Sequence, residues 1–421
     1  MLVGTSVTDI TPAPGVELSG FAARIQPSTT VLDRLYARAL CVEDGAERLL
    51  WIHSDLIALE REAVSACREW ARRQLGLAER QVLITATHTH SGPATIHLQQ
   101  AGTYDADYVS WLQGRFFEVA CAAAAALHPC EVVHTEGRLD LAVDRRKRAS
   151  AHTDPRVGAV GFRRMDGVFS ATVVNYAMHA VALGPANRAI SGDVPGQAAR
   201  ILAQRLPGAP VTLVTNGACG NLNPPRENVP FVQVETWGRQ IANAVVDRLL
   251  AAAPLPMASF RTASRTVPIP LEVLDEVQID ARAARALDDA RSLAEWGDKY
   301  RRAVEGWRRA MLERVRAGNT AAARDAELFA VRIGEVVLLG LNAEVFSEFT
   351  DWLRTATGST VYVVGYANGD MGYIPTRAAY EEGGYEVDVA HIFYLDFRLQ
   401  PGGLEQLATH ATELVREVLS D

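Results

Sequence analysis

Apolar, strand-like runs alternate with helix-like segments along most of the chain. The segment ALEREAVSACREWARRQLG has apolar residues at helical spacing and ends at a glycine, and the strand-like run QVLITATHTH follows it. The helix-like DVPGQAARILAQRL is likewise followed by the strand-like APVTLVTNGACGNLNPP. Chains with this alternation bury a sheet beneath helices. The alternation predicts an α/β fold with a large mixed β-sheet core flanked by helices.

Residues 272–326 interrupt the alternation. The segment is rich in alanine, arginine and acidic residues, with leucine and tryptophan at intervals. This composition predicts a helical hairpin, so we expect residues 1–421 to form a single α/β domain with a helical insertion at 272–326. The insertion fits a lid over a site, a dimer element, or a scaffold extension with a solvated charged face.

Charge and cysteine usage exclude several classes of protein. The net charge is −8 and no block of lysine and arginine occurs, which argues against nucleic acid as a partner. The five cysteines include no CxxC pair, as is typical of free thiols in a reducing compartment. The first residues lack the pattern of an export signal, and no apolar run is long enough for a membrane helix. We therefore expect a soluble cytoplasmic protein without stable membrane insertion.

Two histidines, His88 and His90, stand at the end of the apolar run VLITA. Residues two apart on a strand point to the same face, and α/β sheets place their sites at the carboxyl ends of strands. Two imidazoles on one face can bind a zinc ion, or provide one ligand and one group that faces the substrate. The alternative is a pair of histidines with ordinary hydrogen bonds, because the HxH spacing is not specific by itself.

Other apolar runs also end in polar residues. His179 closes NYAMH and is either a ligand or a hydrogen-bonded core histidine. Glu344 follows LLGLNA, where a buried carboxylate needs a partner or a metal, although a glutamate at a helix N-terminus gives the same pattern. Asp55 and Asp193 lie at strand-to-helix corners and either orient ligating histidines or cap helices. The loop NGACGNLNPP either directs backbone N–H groups at an oxyanion or forms a plain turn.

Six motifs resemble, in this order, the catalytic domain of the neutral/alkaline non-lysosomal ceramidases: ATHTHSGP, NYAMH, SGDVPG, GNLNP, NAEVF and GYIPTRAAYEEGGYE. The opening VTDITPAPGVELSGFAAR also fits, so the resemblance covers nearly the whole chain. THTHSGP together with YIPT and YEEGGYE is specific as a set. The resemblance implies one zinc ion bound by two histidines, a glutamate and a tyrosine, namely His88, His179, Glu344 and Tyr373. It further implies that His90 and Arg145 contact the carbonyl region of the substrate.

The chain departs from the family pattern at the nucleophile. Where the family has a serine in a GD-S-P loop, the chain reads GNLNP, so Asn223 takes the serine position and Asn221 the aspartate position. An amide cannot attack a carbonyl as a hydroxyl does. The ceramidases of the resemblance also carry an export signal and a C-terminal immunoglobulin-like domain, and we expect neither here. The substrate therefore need not be a membrane lipid.

The resemblance supplies a complete set of metal ligands but no serine nucleophile. We therefore predict a zinc-dependent amidohydrolase that cleaves an amide, or a related acyl bond, of a small molecule by metal-activated water. In this scheme His90 and Arg145 stabilise the oxyanion, and His90 or Asp193 passes a proton to the leaving group. Asn223 donates a hydrogen bond to the substrate. The alternatives are a zinc-dependent lyase, isomerase or ring-opening enzyme on the same scaffold, and a non-catalytic relative that binds zinc. A homodimer is compatible with the tryptophan-bearing insertion.

Overall fold

Strands and helices alternate from Leu2 to Leu419 in the computed structural model, which describes residues 1–146, 151–256 and 259–420, without the side chains at 290–292. The strands are β1 (Leu2–Asp9), β2 (Thr30–Val31), β3 (Tyr36–Glu43), β4 (Arg48–Ser54), β5 (Val82–Ala86), β6 (His128–Pro129), β7 (Glu131–Arg138), β8 (Val143–Asp144), β9 (Arg156–Arg163), β10 (Phe169–Tyr176), β11 (Ala189–Ile190), β12 (Val211–Asn216), β13 (Leu222–Asn223), β14 (Phe260–Pro270), β15 (Ala323–Ile333), β16 (Val336–Leu341), β17 (Glu344–Val345), β18 (Thr360–Val364) and β19 (Tyr373–Ile374). The helices are α1 (Arg61–Leu75), α2 (Ala106–Ala125), α3 (Asp193–Arg205), α4 (Phe231–Ala251), α5 (Glu276–Leu287), α6 (Ala290–Arg316), α7 (Glu348–Thr357), α8 (Arg377–Glu382), α9 (Ala390–Phe393) and α10 (Gly403–Leu419).

Most of the strands belong to three mixed sheets, with the strand orders β5-β4-β3-β1-β6, β12-β10-β9-β7 and β14-β15-β16-β18. Each sheet combines antiparallel neighbours with one parallel pair: β4 with β5, β10 with β12, and β16 with β18. Helix α2 packs against β1 and β3, α3 against β12, α4 against β7, and α10 against β14 and β15. The predicted α/β class, with mixed sheet flanked by helices, is confirmed, and the strands are divided among three sheets.

Local sequence explains where several of these elements begin and end. Strand β5 reads VLITA and is buried along its whole length, as an apolar run between two helix-bearing connections requires. The chain reverses between β3 and β4 at Asp44-Gly45, where Gly45 has a φ of +92°. Helix α1 ends at Gly76, whose left-handed backbone (φ +67°) allows its N–H to donate to the carbonyl of Ala71.

The segment 272–326 contains α5 and α6, so its helical character is confirmed, but β15 already begins within it at Ala323. Helix α6 is kinked at Gly297, whose backbone is left-handed (φ +53°). On the far side of the kink, Tyr300 and Trp307 are fully buried in the core that includes β15 and α10. The insertion is thus packed into the protein on one face. Its status as an insertion within a single domain stays a prediction.

Two short strand pairs connect loops at the ends of the large sheets. Strand β8 pairs antiparallel with β13, with Asp144 opposite Leu222. Strand β17 pairs parallel with β19, with Glu344 opposite Tyr373. Because each pair ties together segments far apart in the chain, these bridges fix the positions of residues that follow the longer strands.

Among the described residues, no helix is both long enough and apolar enough to cross a membrane. The chain from α7 onward is mainly helical up to Leu419, and no immunoglobulin-like domain occurs in the part of the chain that the structure describes.

Candidate active site

His88 lies two residues beyond β5, at the carboxyl end of the strand. Its backbone is left-handed (φ +57°), so the chain has left strand geometry before it reaches the histidines. His88 and His90 are therefore not neighbours on one face of a strand, as predicted from their spacing. The turn nevertheless brings their rings to a centroid distance of 4.8 Å. Nδ1 of His88 donates to the carbonyl oxygen of Ile57 (2.8 Å), which leaves Nε2 unprotonated in the neutral ring and able to bind a metal.

His179 follows β10 and is held by the loop after β12. Its backbone N–H (3.0 Å) and its ring Nδ1 (3.1 Å) both donate to the carbonyl oxygen of Leu222. Nε2 of His179 is therefore left to face the centre that Nε2 of His88 faces. Asp55 and Asp193 were each open to two interpretations, orienting a histidine or capping a helix. Backbone carbonyls, and neither carboxylate, orient these two rings.

Glu344, the first residue of β17, completes the group. Its Oε2 lies 2.8 Å from Nε2 of His179 and 3.7 Å from Nε2 of His88. One ligand atom from each of the three residues lies within 4.8 Å of the others, and all three side chains are buried. The structure thus brings together two imidazole nitrogens and one carboxylate oxygen, a donor set typical of catalytic zinc sites.

The charges in this group suit a cation. Burial raises the pKa of Glu344, but His88 and His179 outweigh burial and hold that pKa at about 2. Burial lowers the pKa of His88 to about 4, so its ring is neutral at pH 7. Burial also opposes protonation of His179, yet Cys219 and Glu344 raise its pKa to about 10. Without a metal, these neighbours therefore favour a proton on the ring of His179. A metal ion would replace this proton, because a ligating imidazole is neutral.

Tyr373 lies beside the three-residue group. It pairs with Glu344 across β17 and β19, and its hydroxyl oxygen is 3.4 Å from Nε2 of His179. Burial and the charge of Glu344 raise the pKa of Tyr373 well above its ordinary value. The guanidinium of Arg145 lies over the ring, 5.4 Å from its centre, and opposes this rise in pKa. Tyr373 is positioned to be a weaker fourth ligand, and that role stays a prediction.

Two tyrosines that the sequence analysis missed also contact Glu344. The hydroxyl of Tyr366 lies 3.2 Å from Oε2 of Glu344, and its ring stacks on His88 at a centroid distance of 3.8 Å. The hydroxyl of Tyr394 lies 3.0 Å from Oε1 of Glu344 and 2.8 Å from Oδ2 of Asp370. Neither tyrosine belongs to a motif with an evident role. The signal that the sequence offers is that Tyr366 comes two residues after the apolar run of β18.

His90 lies against the group without a polar contact to it. Its ring packs on His88 and Phe21, at centroid distances of 4.8 Å in each case. Neither ring nitrogen has a hydrogen-bond partner among the described residues. Burial lowers the pKa of His90 far below its ordinary value, so the ring is neutral and offers one donor and one acceptor.

Arg145 follows β8 and lines the same cavity as the histidines. Its Nε donates to Oε1 of Glu386 (2.8 Å) and its Nη2 to the carbonyl oxygen of Gly220 (2.8 Å). Its Nη1 donates to Oδ1 of Asn223 (3.2 Å). These three bonds hold the guanidinium against the loop that contains the GNLNP motif.

The two asparagines of GNLNP have different surroundings. Asn221 is buried, where its Oδ1 accepts a bond from the backbone N–H of Ser347 (2.9 Å) and its Nδ2 donates to Asp144 (3.1 Å). Asn223 lines the cavity, and its Nδ2 donates to Oε1 of Glu227 (2.9 Å). Asn221 therefore supports the loop, and Asn223 is the member that lines the cavity.

Asp193, the first residue of α3, is not among the residues that line the cavity. Its carboxylate accepts bonds from the backbone N–H groups of Ala182 (3.3 Å), Leu183 (3.1 Å) and Val194 (2.7 Å). Burial raises its pKa to about 6, although these bonds oppose the rise. The geometry fits the alternative in which Asp193 orders a helix start, and it brings no proton donor to the leaving group.

The cavity around the group has a volume of about 1260 Å³. His88, Glu344 and Tyr373 line it together with His90. The insertion contributes further lining residues from α5, from α6 and from the turn between them, namely Arg282, Arg285, Ala286, Asp289, Glu295, Trp296 and Tyr300. The insertion is thus part of the cavity wall.

A family model described as neutral/alkaline non-lysosomal ceramidase, N-terminal, matches residues 1–211. The neutral ceramidase of Pseudomonas aeruginosa is 25% identical over 218 residues, and that of Mycobacterium tuberculosis is 29% identical over 225 residues. These matches cover 46% and 47% of this chain, but only 32% and 35% of the relatives. The chain therefore spans about a third of the length of the curated relatives it matches.

Solved structures share the fold at lower sequence identity. The crystal structure of the Pseudomonas aeruginosa neutral ceramidase is similar with a TM-score of 0.75 and 18% identity, over 99% of this chain and 74% of that one. A second structure, described as ceramidase complexed with C2, has a TM-score of 0.76 and 17% identity, over 99% and 75% of the two chains. With the family model matching half of the sequence, the chain belongs to the neutral/alkaline non-lysosomal ceramidase family.

Proposed function

We propose that the protein is a zinc-dependent hydrolase that cleaves an amide, or a related acyl bond, of a small molecule. The observation that carries this proposal is the buried group of His88, His179 and Glu344, whose ligand atoms lie within 4.8 Å of one another beside a large cavity. Membership of the ceramidase family supports a hydrolase, and the names of the relatives suggest the amide bond.

The donor set supports zinc as the metal. Zinc accepts both imidazole nitrogens and carboxylate oxygens in tetrahedral sites. Magnesium and calcium prefer sites in which all the ligands are oxygens. Zinc bound by His88, His179 and Glu344, with Tyr373 as a weaker fourth ligand, would polarise a carbonyl group and make water a better nucleophile at neutral pH.

Arg145 and His90 are the groups proposed to contact the carbonyl oxygen. The guanidinium has five N–H groups, and three of its hydrogen bonds go to protein acceptors, which leaves N–H groups for a substrate. Burial of His90 favours its neutral form, in which it can also accept a proton and deliver it to the leaving group. Asp193 is not retained in this role, because its oxygens are bonded to backbone N–H groups.

Asn223 favours a second candidate. Without a hydroxyl at this position, the chain has no serine to form an acyl intermediate in the GNLNP loop. A zinc-dependent lyase, isomerase or ring-opening enzyme would need the same metal ligands but no such nucleophile.

The single domain, the homodimer and the cytoplasmic location stay predictions from the sequence.

Metal content tests the site. We expect about one zinc per chain in the wild-type protein by elemental analysis, and none in a His88→Ala, Glu344→Ala double variant. His97→Ala is the matched control, because His97 is an exposed histidine paired with Glu60 outside the site, and it should keep its zinc. Equal zinc in the double variant and the wild type would reject the ligand assignment.

Hydrolysis is tested separately with short N-acyl amides. Activity should disappear with a chelator and return with zinc. Products formed in ¹⁸O-labelled water should carry the label in the new carboxylate. Turnover without incorporation of water oxygen would reject the hydrolase in favour of the second candidate.

A further inference from the structure

Glu227 differs from three other acidic side chains of the cavity wall. Glu386 and Glu382 pair with Arg146, and Asp388 pairs with Arg398. Glu227 forms no ion pair with any lysine, arginine or histidine that the structure describes, and the amide of Asn223 is its hydrogen-bond partner. Its carboxylate therefore presents a negative charge to the cavity.

Asn223 lies between this carboxylate and the guanidinium of Arg145 and bonds to both. Its Oδ1 accepts a bond from Nη1 of Arg145 (3.2 Å), while its Nδ2 donates to Oε1 of Glu227 (2.9 Å). Arg145 is further engaged by Glu386 and by the carbonyl of Gly220. On the cavity wall, the guanidinium of Arg145 and the carboxylate of Glu227 therefore lie on opposite sides of the amide of Asn223.

The position of Glu227 makes its charge available to a ligand. Its bond to Asn223 uses Oε1, so Oε2 remains open. Glu227 is an exposed residue whose side chain lines the cavity, so its carboxylate is accessible to a ligand that enters. A carboxylate in this position can accept a hydrogen bond from a cationic group of the ligand, and hydrogen bonds between charged groups are stronger than neutral ones.

We propose that Glu227 is a specificity-determining residue that binds an ammonium group of the substrate. The substrate class is then an N-acyl compound that carries a primary amine, with its carbonyl directed to Arg145 and its amine to Glu227. This inference rests on the proposed function for the nature of the bond that is cleaved, but the recognition of the amine does not depend on catalysis.

Binding of matched amides tests the assignment. The full chain is treated with a chelator so that hydrolysis does not interfere, and binding is measured by calorimetry. On the amine side, N-(2-aminoethyl)butanamide is compared with N-propylbutanamide. On the acyl side, 4-amino-N-propylbutanamide is compared with N-propylpentanamide. We expect the wild type to bind at least one ammonium compound about threefold more tightly than its neutral partner, as one exposed ion pair provides.

Two variants locate the source of that preference. Glu227→Gln should reduce the ratio of affinities to near one while leaving the affinity for the neutral amides unchanged, which also reports that the cavity is intact. Glu382→Gln removes one negative charge from a wall residue that Arg146 already pairs, and it should retain the ratio. The inference is overturned by a ratio near one in the wild type, by a ratio that survives in Glu227→Gln, or by an equal loss in Glu382→Gln. Because the readout is binding without metal, an absence of hydrolysis would overturn only the proposed function.

Discussion

His88, His179 and Glu344 each have a second polar atom that does not face the candidate metal centre. A hydrogen bond to that second atom orients the side chain. The ring of His88 is held by the carbonyl of Ile57, and that of His179 by the carbonyl of Leu222. The outer oxygen of Glu344 is held by the hydroxyl of Tyr394. Such contacts fix the direction of a ligand before the metal arrives, so they should contribute to affinity without touching the ion.

Tyr394→Phe tests this contribution. The change removes the bond to Glu344 but keeps the ring, so we expect zinc affinity to fall about tenfold or more, as is typical when the partner of a ligand is removed. Competition with a chromophoric chelator measures the affinity. Tyr380→Phe is the matched control, because its hydroxyl donates to the carbonyl of Leu399 instead. An unchanged affinity in Tyr394→Phe would show that Glu344 does not need this support.

The sequence predicted which residues of the motifs meet at the candidate metal centre, but it did not predict the residues outside the motifs that support them. His88, His179, Glu344 and Tyr373 were identified as ligands from motifs that resemble those of the ceramidase family, and the structure brings all four together. Tyr366 and Tyr394 reach Glu344 only because the fold brings separate loops into contact, and no local pattern records such a contact. Asp193 was open to two interpretations, since a carboxylate before a helix has the same sequence context in both.

Helix α6 links the cavity wall to the core. Trp296 lines the cavity, while Trp307, three turns further along, is fully buried and donates from Nε1 to the carbonyl of Asp396 (2.7 Å). An element that only covers a site would not need such an anchor. The hairpin is therefore a fixed part of the cavity wall.

Trp307→Ala should destabilise the protein by about 3–5 kcal/mol, because a buried tryptophan leaves a large cavity when truncated. Urea unfolding measures this difference. Arg309→Ala, on the exposed face of the same helix, should change the unfolding free energy by less than about 0.5 kcal/mol. A small effect of Trp307→Ala would mean that the hairpin can separate from the core without unfolding it.

The length of an element decides how well sequence predicts it. Long elements such as α1 and α6 follow from apolar periodicity over many residues. The pairs β8–β13 and β17–β19 have two residues in each strand, so they carry no periodicity to detect. These short pairs nevertheless position Arg145, Asn223, Glu344 and Tyr373, which explains why the arrangement of the site was less predictable than the fold.

For the whole molecule, buried neutral histidines make stability depend on pH. Burial lowers the pKa of His53 and of His391 from the ordinary 6.5 to about 3. The folded protein keeps both rings neutral, whereas the unfolded chain binds protons below pH 6.5. Their contribution to stability is therefore complete above pH 6.5 and is lost progressively as the pH falls towards 3.

His53→Gln should reduce this dependence. One histidine that is protonated only in the unfolded chain changes the unfolding free energy by about 1.4 kcal/mol per pH unit. We expect the slope between pH 6 and pH 4 to be smaller by about that amount in the variant, measured by urea unfolding at several pH values. His97→Gln, at an exposed position, should keep the slope of the wild type. An identical slope in His53→Gln would mean that His53 is protonated in the folded state.

The four residues at the candidate metal centre come from positions 88, 179, 344 and 373, each on a different segment. During synthesis, the ribosome adds the last of them long after the first. A growing chain that lacks residues 344 and 373 holds an incomplete set of ligands, so we expect zinc to bind fully only when these segments have packed together. Because His88, Glu344 and Tyr373 line the cavity, we expect the metal to enter through it, and a tightly bound substrate analogue should slow the loading of zinc.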